Sequence, residues 1–278
     1  MKVLIFGSTG FIGSHLYKAL HGSGEHDVLA PTRAKLDLLD QETLSEQIRD
    51  FGPEVIVNCA IKVDDLDQSL RANLNVIRST PADCIYFQVG SGAEYGRYEC
   101  PLNVHESFFG SVIPVDTYGI CKYLVAQTLT TSLTGRFLNL RTFGVFGRGE
   151  ETRRLIPSLI FSAHESGRAT ISKDGFFSLV SVNDIVDFLT EWLRRGCDLR
   201  GHYNFAGEAP IRLSVVLDRL KLASPNAIFS VSDGHTMAAP YCGDSSKLLA
   251  ECRWFNFRNL DDEIDSYIKE LKMILHND

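Results

Sequence analysis

The chain has 278 residues, 44% hydrophobic, 23% charged and 10% aromatic, with 22 glycines and a formal net charge of −7 at pH 7. These are globular values, and they exclude disorder, collagen-like repeats or a coiled coil as the main structure. A net acidic chain argues against a nucleic-acid binder, which needs a basic face, and no apolar run nears the ~20 residues that cross a bilayer. The seven cysteines are scattered, odd in number and without CxxC spacing, and the eight histidines show no HxxxH spacing. The expectation is a cytoplasmic protein with reduced thiols, no membrane contact and no metal.

In chain order, Lys2–Phe6 (KVLIF) is an unbroken apolar run ending in glycine, which predicts a strand buried on both faces rather than a leader peptide. Phe11, Ile12, Leu16 and Leu20 recur at helical spacing over Phe11–Gly22. Strands are expected at Val28–Ala30, Val55–Asn58, Ile85–Val89 and Phe137–Arg141. Helices are expected at Gln41–Phe51, stopped by Gly52-Pro53, and at Asp116–Ser132. Strand alternating with helix at this pitch predicts right-handed crossovers on a parallel sheet.

Beyond Arg148 the rhythm changes. Helices are expected at Ile156–Ser166, Asn183–Arg195 and Leu213–Leu220, and strands at Ala169–Ser172, Leu179–Val182 and His202–Phe205. A closing helix carries Leu260, Ile264, Tyr267, Ile268, Leu271 and Ile274 on one stripe. The expected division is 1–150 as a dinucleotide-binding domain, to which 176–200 returns, and 151–278 mainly as a smaller lobe. A cleft would lie between them.

The first chemical signal is Gly7-Ser8-Thr9-Gly10-Phe11-Ile12-Gly13, a GxxGxxG between the first strand and the first helix. Glycines permit a tight turn and close backbone approach, and a helix N-terminus offers free N–H groups to a pyrophosphate. Gly7, Thr9, Gly10, Phe11, Ile12 and Gly13 are therefore candidate cofactor residues. About 20 residues further on, NAD sites place a carboxylate for the ribose 2′-OH. Here the chain reads Pro31-Thr32-Arg33, and Arg33 suits a 2′-phosphate, because its fork matches phosphate oxygens. Asp37, followed by Leu38, either meets the adenine or caps the next helix. Cys59, Ala60 and Ile61 follow the third strand, where the dinucleotide would lie against the sheet edge.

The second signal is Tyr118-Gly119-Ile120-Cys121-Lys122, YxxxK on a predicted helix, with both side chains on one face. An ammonium beside a phenol favours phenolate, which makes a tyrosine usable as a proton donor and acceptor near neutrality. Ser91, at the end of the fourth strand, stands where parallel sheets bind ligands and supplies a hydroxyl for the reacting oxygen. Cys121, Trp192 and Trp254 read as packing residues. His105 and His235 lie in polar loops. Glu150 and Glu151 beside Arg148 and Arg153 read as a surface ion-pair cluster.

Together GSTGFIG (7–13), LDLLD (36–40), NCA (58–60), SGAEYG (91–96), YGICK (118–122), LRTFGVFG (140–147), SVND (181–184), YNFAG (203–207) and DSSK (244–247) make the chain resemble the extended short-chain dehydrogenase/reductases of the nucleotide-sugar epimerase/dehydratase/reductase superfamily. The resemblance covers nearly the whole chain. It implies a Rossmann-type, doubly wound α/β fold with a smaller C-terminal substrate lobe, and a catalytic set of Ser91, Tyr118 and Lys122. It also implies a nucleotide-sugar substrate. A homodimer is implied through the segments Gln68–Arg78 and Asp116–Ser132.

Within that superfamily, 4,6-dehydratases carry Asp-Glu where Gly92 and Ala93 stand. Glu94 comes one place too late, and faces away if the strand alternation continues. The GDP-fucose synthases carry a cysteine at the position of Ala93, yet Thr32-Arg33 through LDLLD, and Ala60–Val63, resemble that NADPH-using subgroup. The relatives' usual Asn is Gly144 here, and Phe176 and Phe177 replace their pyrophosphate-binding Arg. Arg148, Arg153 and Arg154 are then candidates for holding substrate phosphate. The expected activity is NADPH-dependent reduction of a keto group, at C4 of a nucleotide-linked deoxy sugar, with NAD(H) as the alternative cofactor. The competing readings are an NAD-retaining 4-epimerase and a non-catalytic NADP(H)-binding regulator.

Overall fold

The computed structural model describes residues 1–61, 65–96, 101–232 and 237–277. Cys100, His235 and part of Ala60–Val63 lie outside the described residues.

The sheet is built from β1 (Lys2–Phe6), β2 (Asp27–Leu29), β3 (Val55–Asn58), β4 (Ile85–Ser91) and β5 (Phe137–Thr142), joined later in the chain by β10 (Gly201–Phe205). These six strands run parallel in the order β10-β5-β4-β3-β1-β2. The order reverses beside β1, and in such open sheets the crevice at the reversal, outside the strands' carboxyl ends, is where ligands bind. The alternation of the pleat divides the core. Val3, Ile5, Val55, Val57, Phe87, Leu138 and Leu140 face one side, and Leu4, Phe6, Ile56 and Tyr86 the other. Both faces are dry, so the strands read as continuous apolar runs.

One face is covered by α1 (Phe11–Ser23) and α6 (Val182–Arg194), which bury Leu16, Leu20, Phe188 and Trp192. The other is covered by α2 (Gln41–Phe51), α3 (Leu66–Ser79) and α4 (Thr117–Ser132). Asp40 caps α2 by accepting the N–H of Thr43 at 3.2 Å, and Gly52, at φ 62°, ends it by donating to Ile48 O. Asp116 caps α4 by accepting the N–H of Gly119 at 2.9 Å, which fixes where the helix carrying Tyr118 begins.

A second cluster packs α5 (Leu155–Ser166), α7 (Leu213–Ala223) and α9 (Leu260–Asn277) around β7 (Arg168–Ile171) and β12 (Ile228–Val231). Two more short ladders tie it to the sheet layer. β6 (Gly144–Phe146) pairs with β9 (Leu179–Ser181) in parallel, and β8 (Phe176–Phe177) pairs with β11 (Ile211–Arg212) antiparallel. In α9 the buried stripe is Ile264, Tyr267, Ile268 and Leu271. Ile274, expected on that stripe, is 42% exposed, while Leu275 beside it packs on the cluster instead. The sheet-layer core that holds Val3 and Ile5 also takes in residues from Val180 to Leu199, then Tyr203, Phe205 and, with α8 (Ser246–Glu251), Phe257. Among the described residues no helix is long and apolar enough to cross a membrane.

Candidate active site and cofactor groove

A groove of about 430 Å³ opens at the carboxyl ends of β1, β3 and β4. Its floor is the glycine loop. Gly7 sits at φ +80°, and a Cβ there would meet Ala60 N at 2.7 Å, so only glycine allows the loop to pass under the turn after β3. A Cβ on Gly13 would collide with the carbonyl of Gly7, which keeps α1 tight against the loop. Gly10 differs, since a Cβ there would meet nothing closer than Gly7 O at 3.4 Å. That open side is where a ligand can approach the backbone. Gly10 is also the N-cap of α1 and gives no side-chain cap, so the first N–H groups of the helix have no internal partner. A pyrophosphate fits this cradle: free N–H donors, the positive end of a helix and no side chain in the way.

Gly7, Thr9, Gly10, Phe11, Ile12 and Gly13 all line the groove, and so do Arg33, Asp37, Leu38, Cys59, Ala60, Ile61, Tyr118 and Lys122. Arg33 is exposed, and its Nη2 lies 3.4 Å from Gln68 Oε1. The helix cap falls to Asp40, while Asp37, which lines the groove, accepts the N–H of Leu39 on Oδ1 at 3.0 Å. Cys59 lines the wall, and burial pushes its thiol up to about 12, which keeps it protonated and inert as a nucleophile.

The wall is shaped by two asparagines, Asn58 of the NCA motif and Asn73, which no motif in the sequence marks. Asn58 is fully buried; its Nδ2 donates to Asn73 Oδ1 at 2.9 Å and Tyr86 Oη at 2.7 Å, and its Oδ1 accepts the N–H of Ala60 at 3.0 Å. Asn73 in turn donates to Ala60 O at 3.3 Å. These bonds fix the turn that presents Cys59, Ala60 and Ile61. The signal was present in the sequence: a polar residue closing an otherwise apolar strand.

At the other end of the groove, Lys122 is 5% exposed, although it sits on a helix. Its Nζ donates to Val89 O at 2.6 Å and lies 5.9 Å from the centre of the Tyr118 ring. The ammonium therefore joins α4 to the end of β4, two residues before Ser91. Thr142 Oγ1 donates to Gly90 O at 3.0 Å and braces the same strand end. Ser91 Oγ accepts the N–H of Ala93 at 3.1 Å and lies 3.3 Å from the hydroxyl of Tyr241.

The strand alternation stops at Ser91, where a 3₁₀ turn covers Gly92–Tyr95. Glu94 is therefore aimed inward. Its carboxylate accepts Ser91 N–H at 3.0 Å and Arg141 Nε at 2.6 Å, and both charged side chains are 1% exposed. A Cβ on Gly92 would run into the ring of Phe143, so the place of a dehydratase carboxylate is filled by an aromatic side chain.

The arginines expected near substrate phosphate are differently placed. Arg153 pairs with Glu151 at 2.5 Å. Arg154 pairs with Glu150 at 2.9 Å and donates to Val145 O at 3.1 Å. Glu150 is not a surface residue as expected: its side chain is 3% exposed, and burial raises its pKa against the pull of Arg154. Arg148 is exposed, and its carbonyl accepts from the ring of His15 at 2.7 Å. At Gly144 a Cβ would meet Leu179 Cδ2 at 2.6 Å and Ser178 O at 2.8 Å, so an Asn there would not fit without displacing β9. His105, read from the sequence as lying in a polar loop, caps the turn at Glu106–Phe108. Among the described residues no group of His, Cys, Asp and Glu is arranged to hold a metal ion.

The sequence profile described as "NAD dependent epimerase/dehydratase family" matches residues 3–206. The chain belongs to that family, whose nicotinamide chemistry is the kind the groove is shaped for. It is 25% identical over 221 residues to an ADP-L-glycero-D-manno-heptose-6-epimerase of Pseudomonas paraeruginosa (strain DSM 24068 / PA7), a match covering 66% of this chain and 62% of that protein. The chain thus matches about three-fifths of that relative's length. Among solved structures, a GDP-mannoheptose C4 reductase from Campylobacter jejuni with NADP bound superposes with a TM-score of 0.81 at 18% identity, over 98% of both chains. A dTDP-glucose 4,6-dehydratase from Bacillus anthracis in complex with NAD gives 0.81 at 17% identity, over 98% of this chain and 97% of that one. At such identities the likeness is one of fold, and it is equally good for an NADP and an NAD protein.

Proposed function

We propose that the protein reduces a keto group, at C4 of a nucleotide-linked deoxy sugar, using NADPH. The observation that carries this reading is the buried Lys122, which ties the helix bearing Tyr118 to the strand bearing Ser91 at one end of the groove. Arg33, and no carboxylate in the stretch Leu29–Arg33, stands at the other end. When bound, the reduced nicotinamide supplies a hydride to the carbonyl carbon. Tyr118 gives its proton to the carbonyl oxygen as the C=O electron pair moves there. Lys122 favours the phenolate that remains. Ser91 donates a hydrogen bond to the same oxygen and keeps its own proton. The glycine loop and the α1 N-terminus hold the pyrophosphate, and Arg33 meets the 2′-phosphate. Arg148, exposed after β6 and outside the groove lining, is the cation proposed for the substrate's phosphates, since Arg153 and Arg154 are engaged with carboxylates.

The family relationship also favours a second reading, an NAD-retaining 4-epimerase that would use the same three side chains. One experiment separates the two. A panel of 4-keto-6-deoxy nucleotide sugars is incubated with NADPH and followed by loss of NADPH absorbance, and the purified protein is denatured and assayed for released NAD. Stoichiometric NADPH consumption supports the reductase. Retained NAD, with interconversion of sugar epimers and no net oxidation, supports the epimerase and overturns the reductase.

A further inference from the structure

We infer that Tyr241 is a positioning residue for Ser91, setting the direction of the serine hydroxyl in the reduction proposed above, on which this inference rests. The two residues lie 150 apart in sequence, yet Tyr241 Oη is 3.3 Å from Ser91 Oγ. A serine hydroxyl has one proton and two lone pairs. One lone pair is taken by the N–H of Ala93 at 3.1 Å. If the phenol donates to the second, the serine proton has no protein acceptor and is left for the substrate oxygen. If the serine instead donates to the phenol, it has nothing to give the substrate. The polarity of this single contact decides whether Ser91 can assist the reaction, and a phenol is the stronger donor of the pair.

Tyr241 is also braced as a positioning group requires. Its N–H donates to Phe176 O at 3.0 Å, and its carbonyl accepts from Ser178 N–H at 3.0 Å, so the backbone is stitched to β8. The ring lies 5.0 Å from Phe143 and 6.2 Å from Phe177. Phe143 is itself wedged where a side chain on Gly92 or Gly243 would sit. The phenol thus reaches the strand end from a small aromatic cluster that it shares with Tyr95 and Phe143. Proton transfer stays with Tyr118, and Tyr241 loses no proton in the cycle.

The test is a double-mutant cycle with Tyr241→Phe and Ser91→Ala on the keto-sugar panel with NADPH. Phenylalanine keeps the ring and its packing, so the protein stays folded, with the thermal unfolding midpoint lowered by no more than the loss of a neutral hydrogen bond. The expected result is that Tyr241→Phe lowers kcat by about 3- to 10-fold, the worth of one neutral hydrogen bond. KM and the NADPH dissociation constant stay unchanged, and adding Tyr241→Phe to Ser91→Ala changes nothing further. Additive losses, an unchanged kcat, or a rise in KM alone would overturn the inference and leave the reductase reading standing. If the wild type reduces no member of the panel, that reading falls and this one with it.

Discussion

Glu94 Oε1 accepts the backbone N–H of Ser91 at 3.0 Å while Glu94 Oε2 holds Arg141 Nε at 2.6 Å. The strand end that carries the serine is therefore anchored by a carboxylate which is itself held by a fully buried cation. Arg141 Nη1 donates to Tyr95 Oη at 3.1 Å, and the Tyr95 hydroxyl donates to Asn204 Oδ1 at 2.7 Å. Removing one member of such a pair strands the other charge in the dry interior, at about 3–5 kcal/mol. Glu94→Ala should therefore lower the free energy of urea unfolding by about that amount. Changing both residues to apolar ones of similar volume should lose less than the single change. Equal stability of wild type and Glu94→Ala would mean that the pair is not buried in solution.

For Tyr118, the hydroxyl is proposed to supply the proton and the ring to pack against the cofactor. Tyr118→Phe removes only the former. Turnover should fall by about 100-fold or more, within the range of general-acid contributions, with NADPH affinity retained. The comparison is steady-state reduction beside a fluorescence titration of NADPH; near-wild-type reduction would remove Tyr118 from the mechanism.

Arg33 should set the preference between the two cofactors. A charge-assisted contact with a 2′-phosphate is worth about 1.5–3 kcal/mol, or roughly 10- to 150-fold in affinity. Arg33→Ala should weaken NADPH by about that factor and leave NADH nearly unchanged. Because Arg33 is exposed, the difference should shrink in high salt. Wild-type protein that binds NADH as tightly as NADPH would count for the epimerase reading.

His202 supplies a pH dependence whose direction is fixed. Burial is the main reason its pKa drops from 6.5 to about 3, with Arg141 and Lys247 adding to it. The ring is held neutral between Asn139 Nδ2 at 3.0 Å and Thr130 Oγ1 at 2.9 Å. Between about pH 6.5 and pH 3 the unfolded chain binds a proton that the folded chain refuses, so stability rises with pH across this window. His202→Gln should flatten the slope of unfolding free energy against pH in that window. An unchanged slope would show that other groups carry it.

The glycine loop, the five early strands and Tyr118–Lys122 were legible because each is a local pattern: an apolar run, a turn residue or an i,i+4 pair. The pairings β6–β9, β8–β11 and β7–β12 were not, since strands of two to four residues leave no period to count. The direction of Glu94 followed from the strand ending at Ser91, and hydrophobicity alone does not mark that point. The Tyr241–Ser91 contact joins residues separated by most of the chain and has no spacing to read. The proposed dimer rests on α3 and α4, which pack side by side. A light-scattering mass twice that of the chain is the expected outcome, and a monomeric mass would remove that proposal.

The placement of β10 has a consequence for biosynthesis. Gly201–Phe205 forms the outer strand beside β5, yet it follows β5 by nearly sixty residues. Translation at about 5–20 residues per second leaves the rim of β5 uncovered for several seconds while the intervening chain emerges. During that interval a row of unpaired N–H and C=O groups is offered to any neighbouring chain. Nascent chains stalled before residue 201 should therefore be more prone to aggregate, and to recruit chaperones, than chains released whole.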